Sequence, residues 1–501
     1  MNYYVIKKNP EVISLSNIPE MDYNRFYEQT VTLLAKYGHH CLNYFVHKAG
    51  HRLRFFILVA NDDKHEIYVY SHLQNHNDLR ILKSITSECF PMHVFEREIS
   101  ENFGIEFTGH PWLKPLRYPH DRFRSDMLVK DYPFYSIESE EVHEVGVGPI
   151  HAGVIEPGHF RFICHGENVL HLEIQLGYQH RAVEKMLAES SNMLRKAILS
   201  EAIAGDTAIG HGLAFSQGVE ALEGIEPSPE LQNERIIALE LERIAMHIGD
   251  TAALCGDVGY QIGQAVCEAL RTIVINTTQD WCGNRFGKGL VRPGGTNYPL
   301  SDDMKDVILK RLAEVQRRYN NVTGLIFGNS GIISRFENTG TVSSVQAKLA
   351  GAVGMAARTS ELNRDIRLTH PFQAYRSVSF KPSILESGDV MARATLRKLE
   401  VESSINIINN LLFGLAASQN RPDYNMRFSP ESLCVSLIEG WRGEICHCPV
   451  TDADGNISQY KIKDPSLHNW YMLALSVRGQ EISDFPLCNK SFNLSYCGHD
   501  L

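Results

Sequence analysis

No C-x-x-C pair occurs anywhere in this 501-residue chain, and its eleven cysteines form an odd, scattered set. That argues against a disulfide framework and predicts reduced thiols in a cytoplasmic protein. No apolar run approaches the ~18 residues of a membrane span. The best candidate, "INIINNLLFGLAA" (405–417), is interrupted by Asn406, Asn409 and Asn410. No long basic cluster is present, and a net charge of −10 argues against nucleic acid as a partner. The opening "MNYYVIKKNPEV" carries lysines with no apolar core behind them, which predicts no secretory signal. A nucleotide-binding glycine loop is missing too, because "RPGGTN" (292–297) lacks the strand–helix context such a loop requires.

What is present suits a large folded protein: 43% hydrophobic and 22% charged residues over a length that predicts two to four domains. Residues 1–124 read as a small α+β domain. "TVTLLAKYGHHCLNYFVHKAGHRLRFFILVAN" gives a helix and then β-rich runs, and "HEIYVYSHL" alternates at the strand period. The end of this unit is rich in aromatics and prolines and shows no nucleophile–base pair, which predicts a docking module. Residues 125–145 are polar and aperiodic, as in a linker over a surface. From 146 to 501 the pattern is mostly helical with small β elements. "HFRFICHGENVLHLEIQL" predicts a hairpin with Phe160, Phe162 and Cys164 on one face. "LQNERIIALELERIAMHIGDTAAL" places Ile236, Leu239, Ile244 and Ile248 near the helical repeat, with Gly249-Asp250 as a weak break. Ser301 is a predicted N-cap. His180-Arg181 and Glu184-Lys185 read as helix surface charges with a structural role, Cys255, Cys267 and Cys282 as buried thiols, and "CHC" (446–448) as strand or turn residues.

Several stretches together carry a resemblance. "EREISENFGIEFTGHPWLKPLRYPHD" (96–121) resembles the end of the 30-kDa subunit of respiratory complex I. "GVGPIHAGVIEPGHFRF", "LGYQHRAVEKML", "ELERIAMHIGD", "RPGG", "GDVMAR", "KLEVESS", "EGWRGE", "DPSLHNW" and "SDFPLCNKSFNLSYCGHDL" follow in order. They resemble the large subunit of membrane-bound, energy-converting nickel–iron hydrogenases, which is related to the 49-kDa subunit of complex I. The resemblance covers nearly the whole chain, as a fusion. It implies an α+β fold: an N-terminal α+β domain followed by a mostly helical hydrogenase-large-subunit-like domain.

Those hydrogenases hold nickel and iron on four thiolates, since soft metals need deprotonated sulfur. Matched to that pattern, the early ligand positions fall on Ala204 and Thr207 and the late ones on Ser495 and Gly498. The expectation is no metal, with Cys497 reachable only by a slipped register and a zinc site at Cys497, His499 and Asp500 disfavoured by spacing. In complex I the same cavity takes a quinone, held by a histidine and a tyrosine. Here His151 keeps the first loop histidine, the second falls on Ile155, and the tyrosine position is Gly205. The resemblance therefore leaves a cavity lined by Ala204, Gly205, Arg292 and Arg358, with Glu156, His151, Asp206 and His211 as a candidate proton relay or acceptor site. Asp206 and His211 are five residues apart, about 140° around a regular helix, so only an irregular backbone or a wide cavity joins them. Arg285, Asp365 and His370 come from bordering segments. Implied partners are a small subunit bearing an iron–sulfur cluster and antiporter-like membrane subunits, with the chain peripheral on the cytoplasmic side of the membrane. No cofactor is expected on the chain itself, though a quinone is one candidate for the cavity, and NADH, if used, would bind another subunit. Two other readings stand beside this one: an NADH- or ferredoxin-linked quinone reductase subunit, and a non-catalytic scaffold of the same assembly.

Overall fold

The computed structural model describes every residue except 76, 77, 79 and 154. The N-terminal sheet has strands Tyr4–Ile6, Glu66–Asn75, Arg52–Asn61 and His40–Ala49 in that spatial order, with the short Glu20–Met21 strand parallel to Glu66–Asn75. Its central strand reads "RLRFFILVAN", an apolar run with little alternation, as a sheet covered on both faces requires. One face, with Tyr44, Phe55, Ile57 and Tyr70, packs under the helices Tyr23–Val31 and His93–Phe103. The other, with Leu42, Phe45, Phe56, Leu58 and Val69, joins the core of the rest of the chain.

A second sheet forms from opposite ends of the sequence. Strands Ile457–Lys463, Glu444–Thr451 and Ser432–Glu439 lie side by side, and Glu11–Ser14 completes the edge antiparallel to Ser432–Glu439. Asn9 secures this edge: its amide donates to the carbonyls of His370 (2.8 Å) and Leu437 (2.9 Å) and accepts from the Leu437 N–H (2.9 Å). The predicted hairpin is present as His159–His165 and Asn168–Gln175, flanked by His143–Val147, with Phe160, Phe162 and Cys164 all buried.

The helical body is built from Ala208–Glu223, Pro229–Asp257, Gln261–Cys282, Asp302–Ile326 and Val390–Leu412. Ser301 caps its helix by accepting from the Met304 N–H. The expected break at Gly249-Asp250 does not occur. The missing side chain at Gly249 makes room for Arg271, whose Cδ would lie 2.7 Å from a β-carbon there, and Asp250 is held by Arg397 and Asn493. The helix therefore runs on to Asp257.

His180, Arg181 and Glu184 are not free surface charges. His180 donates to the Asp500 carbonyl, Arg181 to those of Ala202, Ile203 and Cys497, and Glu184 accepts from the Ile462 N–H. His180 and Arg181 clasp the C-terminal residues and Glu184 holds the strand Ile457–Lys463, while Lys185 stays at the surface with Asp121. Among the described residues no helix is long and apolar enough to cross a membrane.

Candidate functional site

Two loops meet at the positions matched to the metal ligands of the nickel–iron hydrogenases. The first, Ala204–Thr207, leads into the helix Ala208–Glu223, and the second, Asn493–Ser495, leads into the short helix Tyr496–Asp500. Arg442, from the tight Gly440–Gly443 turn between two strands, joins them. Its guanidinium holds both carboxylate oxygens of Asp206 (2.6 and 2.7 Å), while its Nε donates to the Asn493 carbonyl (2.5 Å). Trp441 lies under that guanidinium, 3.9 Å from it, and donates from Nε1 to the Asp206 carbonyl (2.9 Å). A bidentate arginine–carboxylate pair of this kind is both strong and directional. Burial works upward on the Asp206 pKa, but Arg442 wins and holds it below the ordinary carboxylate range.

None of the four ligand positions offers a metal donor. Ala204 has only a buried methyl group, and Thr207 Oγ1 is occupied by Trp441 and Asp206. Ser495 Oγ accepts from the Gly498 N–H (2.8 Å) as a helix cap. A β-carbon at Gly498 would lie 2.7 Å from the Asp464 carboxylate. Burial, with the Glu156 charge adding to it, pushes the Cys497 thiol up to about 11, so it is a thiol rather than a thiolate ligand. Among the described residues no group of three or more His, Cys, Asp or Glu is placed to hold a metal ion. A nickel–iron centre does not fit these residues.

His151 lies on the 148–158 loop and donates from Nε2 to the Gly158 carbonyl (2.8 Å). Glu156, half-buried, accepts from the Cys497 N–H (3.3 Å) at the start of the last helix. Gly205 is exposed, and a β-carbon there would meet no heavy atom within 4 Å, so the tyrosine position opens onto free space. Ala204, by contrast, is fully buried and lines no open space.

Asp206 and His211 do not meet. His211 points into the core, where Nδ1 pairs with His447 Nε2 (3.0 Å) and Nε2 with Asp464 Oδ2 (3.0 Å). His447 continues to the Tyr460 hydroxyl (2.9 Å), so four buried groups form one line: Asp464, His211, His447 and Tyr460. Burial and then the neighbouring His211 hold His447 well below the usual histidine value. Arg292 and Arg358 are likewise committed to buried ion pairs. Arg292 binds Glu201 (2.6 Å), and Arg358 binds Glu400 (2.5 Å) and Glu439 (2.7 Å) within a cluster that includes Asp365. Arg285 is exposed, and His370 lies 3.8 Å from Asp62 of the N-terminal unit.

Sequence reasoning passed over Arg442, Asp464 and Glu242, and read His447 only as a strand or turn residue. Glu242 accepts from the N–H groups of Ile209 and Gly210 at a helix start, and burial pushes it up to about 8. The signals were "EGWRGE", "KDPS" and "CHC", each a charged or polar group in a stretch otherwise read as strand. Cys446 and Cys448 flank His447 on the opposite face of the strand, with their sulfurs 3.5 Å apart.

With this geometry in hand, likeness to known proteins falls into place. Residues 14–138 match the family "Respiratory-chain NADH dehydrogenase, 30 Kd subunit" and residues 257–431 the family "Respiratory-chain NADH dehydrogenase, 49 Kd subunit". The chain is 28% identical to the "Carbon monoxide-induced hydrogenase" of Rhodospirillum rubrum, over 70% of this chain and 97% of that protein. It is 25% identical to "Hydrogenase-4 component G" of Escherichia coli, over 84% and 76%. Against the C/D polypeptide of the NADH-quinone oxidoreductase of Bdellovibrio bacteriovorus it is 24% identical, over 80% of each. The fold, the two matched regions and these relatives define a complex-I-like, hydrogenase-related subunit. More narrowly, it is a fused 30-kDa/49-kDa-type chain that lacks the metal-binding cysteines.

Proposed function

We propose that this chain is the large peripheral subunit of a redox-driven membrane assembly, on the cytoplasmic side, and that a small acceptor, a quinone being one candidate, enters the open space at Gly205 where relatives place metal. Electrons come from an iron–sulfur cluster in a small partner subunit, and their transfer is coupled to proton or ion movement through antiporter-like membrane subunits. NADH, where it is the donor, binds another subunit. The observation that carries this reading is the Arg442 bridge. With Asp206 it forms a neutral, fully hydrogen-bonded ion pair that ties the two loops together beside the open space at Gly205, so the walls of that space are fixed before an acceptor enters. Glu156, which holds the first turn of the last helix, and His151, on the loop before the hairpin, are the groups assigned to supply protons.

A scaffold role is the second reading, and one observation favours it: Glu156 and His151 already hold backbone groups. Glu156→Gln and His151→Ala separate the two. The assembled complex is quantified beside its NADH- or ferredoxin-driven acceptor reduction. Proton delivery predicts that turnover per assembled complex falls about a hundredfold in Glu156→Gln, with normal assembly. A scaffold predicts unchanged turnover per assembled complex in both variants.

A further inference from the structure

A cavity of about 350 Å³, within the ~300–1,000 Å³ range of small-molecule sites, opens between the helix His93–Phe103, the strand Asn168–Gln175 and the helix Ser466–Ser476. It is not the space at Gly205, and none of the groups assigned above to acceptor binding lines it. Its walls are aromatic: Trp112, Tyr132, Trp470 and Tyr471. One buried carboxylate fixes two of them, Trp112 and Tyr132. Glu173 accepts from Lys114 Nζ (2.5 Å), the Tyr132 hydroxyl (3.1 Å), Trp112 Nε1 (3.4 Å) and the Tyr135 N–H (2.7 Å). The pocket is therefore built in advance rather than formed by loose side chains.

Two histidines give it polarity. His499 Nδ1 donates to Asp500 Oδ1 (2.7 Å), and Asp500 is itself fixed by the N–H groups of Gly177 (2.9 Å) and Gln179 (2.8 Å). This carboxylate sets the tautomer, so in the neutral ring Nε2 is a hydrogen-bond acceptor, and it has no partner among the described residues. Burial favours that neutral form. His93, 2% exposed, stacks between Phe90 (4.7 Å) and Trp112 (5.3 Å), and neither of its ring nitrogens has a partner among the described residues. Buried polar atoms of this kind ordinarily find partners.

We propose that this cavity is a second, separate binding site for a small planar aromatic molecule carrying a hydroxyl, a phenol in the broad sense, whose O–H donates to His499 Nε2 while its ring stacks against the tryptophan and tyrosine walls. Aromatic faces reward a flat ring, and the free acceptor rewards a donor on its edge. Neither Arg97 nor Lys114 competes for that role. Arg97 donates to the carbonyls of Lys114 and Pro115, and Lys114 is paired with Glu173.

The test is calorimetric titration of the full-length chain with p-cresol and with its methyl ether, p-methylanisole, which keeps the ring and loses the donor. p-Cresol should saturate one site per chain, with the ether about tenfold weaker, one hydrogen bond's worth. His499→Phe should abolish the difference between the two, and Trp112→Leu should weaken both. The comparison of phenol and ether on the wild-type chain stands even where a variant folds poorly. No saturable p-cresol binding, or equal affinity for phenol and ether, overturns the proposal.

Discussion

Gly498 occupies a late metal-ligand position of the nickel–iron relatives, and replacing it with alanine is a direct test of how this chain has filled that site. Glycine to alanine within a helix ordinarily stabilises, by up to about 1 kcal/mol in the interior. Gly498 is the third residue of a five-residue helix, so the gain here is smaller. Against it stands the Asp464 carboxylate, 2.7 Å from the new β-carbon, and Ser495 Oγ at 2.9 Å. Reaching an ordinary contact of 3.4 Å requires Asp464 to retreat by roughly 0.7 Å. Overpacking of that order costs about 1–3 kcal/mol. The same oxygen that must move, Oδ2, binds His211 at 3.0 Å, so a hydrogen bond to a buried charged group, worth ~1.5–3 kcal/mol, is strained or lost as well. The costs exceed the propensity gain, and Gly498→Ala should lose about 3 kcal/mol overall. Urea unfolding of the full-length chain, followed by circular dichroism, measures it. A variant as stable as the parent, or more stable, would show that the loop has slack and that the fit argument against a ligand side chain there is wrong.

Asn9→Ala should cost about 3 kcal/mol, because three buried backbone groups lose their partner; an unchanged urea midpoint would refute this. Acid should loosen the seam between the two regions at Glu98. Burial works upward there, but Arg117 and Lys461 hold it at about 2 against an ordinary 4.5. Its contribution is complete above pH 4.5, is lost as pH falls toward 2, and amounts to at most about 3 kcal/mol. Glu98→Gln should lack that pH slope when midpoints at pH 5 and pH 3 are compared. Elemental analysis of the purified protein should find far less than one nickel per chain. Restoring cysteine at 204, 207, 495 and 498 should not create hydrogen uptake, since Gly498 has no room for a β-carbon.

Much of this protein was legible in order along the chain. Strand alternation, the hairpin at Phe160–Cys164, the Ser301 cap and the ordered motifs follow from local chemistry and spacing, and so does the absence of four thiolates. Contacts across hundreds of residues were not legible. The "FFILVA" run signals burial on both faces but cannot say that the second cover is the C-terminal sheet. Gly249-Asp250 looks like a break until Arg271 and Arg397 are seen to pack and pair there. His211 and Asp206 read as members of one candidate cluster, joined only across an irregular backbone or a wide cavity, and the fold instead turns His211 inward to His447 and Asp464, 236 and 253 residues away. The sequence alone determined which side chains stand at the four matched ligand positions, none of them a thiol, because residue identity at a matched position is read directly from the chain. Only the tertiary structure decided that Arg442 bridges the two former ligand loops and that His499 faces an aromatic cavity, because desolvation and hydrogen-bond geometry depend on which distant segments the packed core brings together.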